Sequence, residues 1–275
     1  MKLGIDLGGT KIEGALVSED GRLVKNIRVP AKYERDALIQ SIVSIIKKLD
    51  RKDVNVIGLG IPGPIDDEGL FHGFTTIDCL QDLNVAREIE KYVGKKVFQE
   101  NDANCFVLAE HLIGAGRGYT NVVGVILGTG VGGGIIIDRK LYRSHGSAGE
   151  FGEMIIHAKK TFEELCGGPH IVKRYVDAGG KMNNPDPKKI FASDEFVAKK
   201  IVEDTFRYLR IGFGNIIVAL NPDIIVVGGG LSNLPIYAKL NRDVRRHLPE
   251  AFNVKIVKNK LGDSSGVIGA AFLRA

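Results

Sequence analysis

Three short segments bring together residue types that can handle phosphate or move a proton. Asp6-Leu-Gly-Gly-Thr10-Lys11 joins two β-like runs, so Gly8 and Gly9 make a tight hairpin whose backbone N–H groups can face an anion. Thr10 adds a hydroxyl donor, and Asp6 is placed to hold the water shell of a Mg2+ ion. The plainer reading is an ordinary hairpin turn. Leu127-Gly-Thr129-Gly-Val-Gly-Gly-Gly134 also lies between two strands, and its run of glycine is longer than a hairpin needs. It reads as a second phosphate clamp, formed by Gly128, Thr129, Gly130 and Gly132, against the alternative of glycines that serve only packing.

Glu100-Asn101-Asp102-Ala103-Asn104 falls between a strand and a helix. A helix N-cap explains an Asn or Asp there without any chemistry. A carboxylate at the carboxyl end of a strand also faces the crevice where α/β folds bind ligands, and the positive end of the helix favours its ionised form. Gly228-Gly229-Gly230 follows an apolar strand and precedes a helix, which lets a flat or anionic group come close. It does not match GxGxxG, and no GxxxxGK[ST] loop exists anywhere in the chain.

These segments need elements to hold them. Strand patterns at Lys2–Asp6, Ile12–Val17 and Leu23–Val29 precede an amphipathic helix over 34–49, where Leu38, Ile42, Ile45, Ile46 and Leu49 recur at helical spacing. A strand at Val54–Ile61, a helix near 84–93, a strand at Lys96–Gln99 and a helix over 103–113 follow. The order then restarts. Strands at Asn121–Leu127, Gly134–Asp138 and Leu141–Arg143 come first, and then a long helix over 194–220 opened by Ser193. A strand at Ile224–Val227, a helix to about 247, a strand at Val254–Val257 and a last helix over 264–273 complete the set. Two α/β halves, joined by the glycines of 114–119, imply a duplicated architecture with a cleft between them. The expected division is 1–118 and 119–263, with the C-terminal helix 264–275 able to rejoin the first half.

Bulk composition narrows the class. A chain of 275 residues with 44% hydrophobic and 26% charged residues suits a globular protein of one or two domains. Glycine supplies 35 of the 275 residues, near 13% against a typical ~7%, and it is clustered in the segments above. The net charge of +5 is dispersed, as in Lys47-Lys48 and Arg245-Arg246, with no basic run interleaved with aromatics, so no nucleic-acid partner is expected. No apolar run approaches the ~20 residues of a membrane span. The first residues read as a strand rather than a signal peptide, and the three scattered cysteines (Cys79, Cys105, Cys166) form no disulfide framework. A cytoplasmic protein is expected.

Taken in order, the motifs resemble those of the ROK family of sugar kinases and repressors, within the actin-like ATPases of ribonuclease-H fold. Asp6–Lys11 resembles the first phosphate motif, and Gly60-Ile-Pro-Gly-Pro-Ile-Asp66 resembles the family loop near the sugar. Asn101-Asp102 is similar to the catalytic pair, Gly128–Gly134 to the second phosphate motif, and Gly228–Gly230 to the adenosine motif. The resemblance spans essentially the whole chain. It implies two ribonuclease-H-like domains flanking a catalytic cleft, with ATP and Mg2+ bound between them. It also implies transfer to a hydroxyl, the 6-OH of a hexose or N-acetylhexosamine, in the manner of a glucokinase. Asp102 would be the general base. Gly63, Asn101 and Glu150 would surround the sugar, with Asp6, Gly8, Gly9, Thr10, Lys11, Gly128, Thr129, Gly130, Gly132, Gly229 and Gly230 on the nucleotide side. A homo-oligomer is implied by analogy alone.

The chain departs from the family pattern at two places. The signature Gly-Glu-x-Gly-His becomes Gly149-Glu-Phe-Gly-Glu153, so Glu153 stands where relatives place a histidine that touches sugar and ligates zinc. The cysteine cluster of that zinc site is reduced to Cys166-Gly167, and a downstream sugar-binding glutamate is replaced within Ile171–Arg174. His157 and His170 with Cys166 match no zinc spacing, so no zinc is expected. Two rival readings follow. A repressor would carry a helix-turn-helix ahead of residue 6, for which no room is expected, and a catalytically weak sugar-binding or regulatory protein would keep the fold without the turnover.

Overall fold

Residues 2–7 and 11–17 bury nearly every side chain, as strands covered on both faces must. In the computed structural model, which describes residues 1–72 and 77–273, they form β1 (Lys2–Leu7) and β2 (Lys11–Val17). With β3 (Leu23–Pro30), β4 (Val56–Ile61) and β5 (Lys96–Asn101) they make a sheet of order β3-β2-β1-β4-β5. β1, β2 and β3 are antiparallel, whereas β4 and β5 run parallel to β1 and β4 respectively.

The second half repeats this plan. β6 (Val122–Leu127), β7 (Val131–Ile137) and β8 (Lys140–Tyr142) form the antiparallel part. After a small hairpin of β9 (Ile155–His157) and β10 (Lys160–Thr161), β11 (Ile224–Gly228) and β12 (Lys255–Lys258) add the parallel part. The order β12-β11-β6-β7-β8 is the first sheet's order with β6 in the place of β1. The duplication that element order suggests is therefore present in the strand pairing.

Helix α1 (Arg35–Leu49) starts where the Glu34 carboxylate accepts from the Asp36 and Ala37 N–H groups, and it buries Leu38, Ile42, Ile45, Ile46 and Leu49 with Leu3 and Ile5 in the first core. α2 (Val85–Val93), capped by Asn84, packs on α1 and β5. On the second sheet, α7 (Phe196–Leu220) buries Phe213, Ile216 and Ile217 with Val123 and Val125. It begins at 196 rather than 194, because Ser193 accepts from the Glu195 N–H and the backbone stays extended through Glu195. α8 (Tyr237–His247) lies against β12.

α3 (Asp102–Leu112) and α9 (Ser265–Ala271) stand between the sheets. α9 packs on β1 and β4, α3 packs on β6 and β7, and the two helices face each other. α9 ends at Ala271, short of the expected 273, and the expected extension to 274–275 lies outside the described residues. Between Glu150 and Ser193, where no apolar period stands out, the chain builds α4 (Phe162–Cys166), α5 (Gly168–Asp177) and α6 (Pro187–Ala192). Among the described residues no helix is long and apolar enough to cross a membrane.

Candidate active site

The β5–α3 junction fixes the central carboxylate. Asn101 is the N-cap of α3: its Oδ1 accepts from the Ala103 N–H at 2.9 Å and the Asn104 N–H at 3.1 Å. Its Nδ2 donates to the Gly63 carbonyl at 3.1 Å, which ties the Gly60–Asp66 loop to the same corner. Asp102 is thus relieved of the capping role that would have explained it without chemistry. Its Oδ1 accepts from the adjacent Ala103 N–H, at 2.8 Å, and the residue lines a cleft of about 560 Å3.

That cleft gathers Gly9 from the Gly8–Lys11 hairpin, Gly63, Asn101 and Asp102, then Gly128, Thr129, Gly130 and Gly132 from the second glycine run, and Glu150 and Glu153. A second pocket of about 500 Å3 shares Gly128 and Thr129 with it and adds Gly230, Leu231, Leu234, Pro169 and the 185–188 segment. The two spaces meet at the Gly128-Thr129 turn. A ligand with a polar end and a flat end fits across that join.

Other expected residues are outside the lining of both pockets. Asp6 lies between β4 and α9, its Oδ1 in van der Waals range of a Cβ at Gly60 and its Oδ2 closer still to one at Gly266. Gly8 closes the hairpin by donating to the Lys11 carbonyl, and Thr10 accepts from the Ala31 N–H through its own carbonyl. Lys11 is exposed at the start of β2, and its charge lowers the proton affinity of Asp6. Gly229, at φ +80°, carries the chain over the Leu127 carbonyl, where a side chain would collide.

The second glycine run is shorter as a loop than its sequence indicates. β7 starts at Val131, so the turn is Gly128-Thr129-Gly130, closed by the Gly128 N–H to the Gly130 carbonyl at 2.9 Å. Gly133 and Gly134 are strand residues that leave room for Phe151 and for α3. Packing accounts for that part of the run.

Electrostatics single out the carboxylates. Burial, followed by the neighbouring Asp6 and Glu150 charges, pushes Asp102 up to about 7. Burial and the Glu13 carboxylate push Asp6 up to about 6. Burial, then Glu153 and Glu163, also raise Glu150. Two adjacent carboxylates that repel each other fit a site for a hydrated Mg2+, which takes one or two carboxylates and keeps its remaining positions for water and phosphate oxygens.

Sequence reasoning missed Glu163 and Ser147, which line the same cleft. Glu163 Oε2 accepts from the Val131 N–H at 2.8 Å and lies over Gly130, so α4 reaches across to the Gly128–Gly130 turn. The signal was present: Thr161-x-x-Glu164 is a capping box that starts α4 and points its first turn at the cleft. The 185–188 wall of the second pocket is likewise marked, by the Asp186 N-cap and Pro187 that start α6. Cys166 is buried in the second core, His157 stacks against Tyr208 at 5.4 Å, and among the described residues no three His, Cys, Asp or Glu side chains gather as a ligand set.

Fold and cleft together define a protein of the two-domain, actin-like class. The ROK family matches residues 2–275, and the chain belongs to it. It is 33% identical to an N-acetyl-D-glucosamine kinase of Histophilus somni, over 99% of this chain and 98% of that one. Its fold superposes on a ROK family glucokinase from Streptomyces griseus, solved with glucose and AMPPNP, with a TM-score of 0.83 at 26% identity, covering 98% and 97% of the two chains. A ROK hexokinase from Thermus thermophilus gives 0.87 at 28% identity over the same shares.

Proposed function

We propose that the chain is an ATP-dependent sugar kinase that phosphorylates a hydroxyl, the 6-OH, of a hexose or N-acetylhexosamine. The observation that carries this reading is the freedom of Asp102. Its neighbour caps the helix, so a carboxylate is left facing a cleft flanked by two glycine turns. The names and bound ligands of the relatives support the substrate classes.

In this reading the second pocket takes the adenosine, with Gly229 and Gly230 beneath it, and the Gly8–Lys11 and Gly128–Gly132 segments hold the phosphates. Mg2+, when bound, neutralises the donor phosphates, and Asp6 is the residue that would hold it through water. Asp102 accepts a hydrogen bond from the sugar hydroxyl, orients its oxygen in line with the γ-phosphate, and takes the proton as the sugar O–P bond forms and the bond from the γ-phosphorus to the ADP oxygen breaks, releasing ADP. Asn101 fixes Asp102 and the Gly63 carbonyl at once. Glu150 and Glu153 accept hydrogen bonds from other sugar hydroxyls. The two halves, the first sheet with α9 and the second sheet with α3, which packs there rather than with the 1–118 segment it follows, close over the substrates and keep water from the phosphate. The assembly as a homo-oligomer stays an inference from the family, testable by sedimentation.

A coupled ADP-release assay across a panel of hexoses and N-acetylhexosamines tests the function. Sugar-dependent ADP release with a matching sugar phosphate supports it. Sugar binding by calorimetry with no ADP release from any sugar overturns it.

A further inference from the structure

Glu110 is a fully buried carboxylate with no cation beside it among its hydrogen-bond partners. Its side chain is 0% exposed, yet four donors satisfy it. Oε2 accepts from the Ala115 N–H at 2.8 Å and the Lys260 N–H at 3.0 Å. Oε1 accepts from the Leu261 N–H at 2.9 Å and the Ser265 hydroxyl at 2.9 Å. These donors come from three places: the loop after α3, the segment leading out of β12, and the first residue of α9. A carboxylate bound this way is stabilised by charge-assisted hydrogen bonds, and removing it would leave several buried donors unpaired.

The location gives the group a mechanical meaning. The chain passes from the first sheet to the second by entering α3 after β5, and it returns by entering α9 after β12. Each helix packs on the sheet opposite to the strand it follows, so the α3–α9 contact is where the halves meet. The contact is tight: Gly269 lies against the Cys105 backbone, where any side chain would collide with its carbonyl. Two helices in backbone contact can rotate on each other but cannot separate cheaply. Glu110 ties the end of one to the start of the other. Asp102, at the opposite end of α3, moves with whatever α3 does.

We propose that Glu110 is the pin of the pivot on which the two halves close, and a positioning residue for Asp102. It holds α3 and α9 at a fixed relation, so that closure is a rotation about this contact rather than a bend in the 114–119 loop. This inference rests on the kinase reading for its activity readout only.

The test compares wild type, Glu110→Gln and the milder Ser265→Ala, which removes a single donor. Each is measured by phosphoryl transfer and by small-angle X-ray scattering with and without a non-hydrolysable ATP analogue and sugar. Glu110→Gln turns one acceptor into a donor facing N–H groups. It should lower kcat about 10- to 100-fold, the range expected when a reacting group is displaced by a fraction of an ångström to 1 Å, with KM for ATP within about threefold. Ligand-induced compaction should shrink or vanish. Ser265→Ala should move both readouts the same way by a smaller amount, and it carries the test if Glu110→Gln does not fold. A variant that loses thermal stability but keeps wild-type kcat and compaction assigns Glu110 to folding alone and overturns the proposal. If wild type transfers phosphate to no sugar, the kinase reading fails, and compaction with the ATP analogue alone still decides the pin.

Discussion

Asp6 makes Asp102 harder to ionise: after burial, its charge is the largest cause of the upward shift that takes Asp102 to about 7. In the kinase reading proposed above, Mg2+–nucleotide bound in the cleft would relieve this repulsion. This coupling sets the pH behaviour expected of the protein.

Asp102→Asn should lose about 10²–10⁴-fold in kcat, the usual worth of a positioned general base. Sugar and nucleotide binding should largely survive, because Asn101 still caps α3 and holds the Gly63 carbonyl. Steady-state kinetics on the purified variant check this, and wild-type turnover would remove Asp102 from the mechanism.

The pH dependence has a definite sign. A base must be ionised, so kcat/KM for sugar at limiting Mg2+–ATP should fall tenfold per unit below about pH 7, where Asp102 titrates. Stability of the ligand-free protein runs the other way. Asp6, at about 6, and Asp102, at about 7, both lie above the ~3.9 of an unfolded aspartate, so between about pH 4 and 7 the folded state binds more protons. Their contribution is therefore fully present below about pH 4 and is lost as pH rises through the folded values. Asp102→Asn should be more thermostable than wild type at pH 8 without ligand, and the gap should close towards pH 4. Melting curves at both pH values decide it, and a gap independent of pH would contradict the linkage.

Much of this was legible in the sequence, and the reasons for the rest are physical. Strands β6 and β11 are continuous apolar runs, β1 and β2 are mostly apolar between charged ends, and glycine marks their turns, so the main strands of both halves were legible, though not their order in the sheets. The run Gly128–Gly134 misled because glycine in a strand, making room for α3 and Phe151, looks the same as glycine in a phosphate loop. The Glu150–Ser193 segment was opaque because β9, β10, α4 and α6 are too short to show a period, and their order comes from packing on α7. Glu110 carried no sequence signal at all. Three of its four partners, Lys260, Leu261 and Ser265, lie about 150 residues away along the chain.

Metal dependence gives a further prediction. Activity should require Mg2+, whose charge offsets the donor phosphates and the Asp6–Asp102 repulsion. No stoichiometric zinc is expected, since Glu153 replaces the family histidine and Cys166 is a core residue whose thiol is pushed far up by burial. Elemental analysis after dialysis checks this, and about one zinc per chain would overturn it.

Glu153 is the residue on which sugar preference should turn. It lines the cleft with Glu150 and Glu163, and its charge is the second cause of the raised proton affinity of Glu150, after burial. A carboxylate accepts hydrogen bonds from two hydroxyls where a neutral imidazole accepts one, and a bond to a charged acceptor is worth about 1.5–3 kcal/mol. Glu153→Ala should therefore raise KM for the preferred sugar roughly 10- to 150-fold, with KM for ATP nearly unchanged. The loss should shrink for a sugar that lacks the contacted hydroxyl, because that substrate never made the bond. Glu153→Gln should fall between the two, since the amide keeps one acceptor and loses the charge. Equal losses on ATP and on every sugar would point to a folding role. An unchanged KM for all sugars would mean that Glu153 faces the cleft without touching the substrate, and the specificity would have to be sought in Glu150, Glu163 and Ser147 instead.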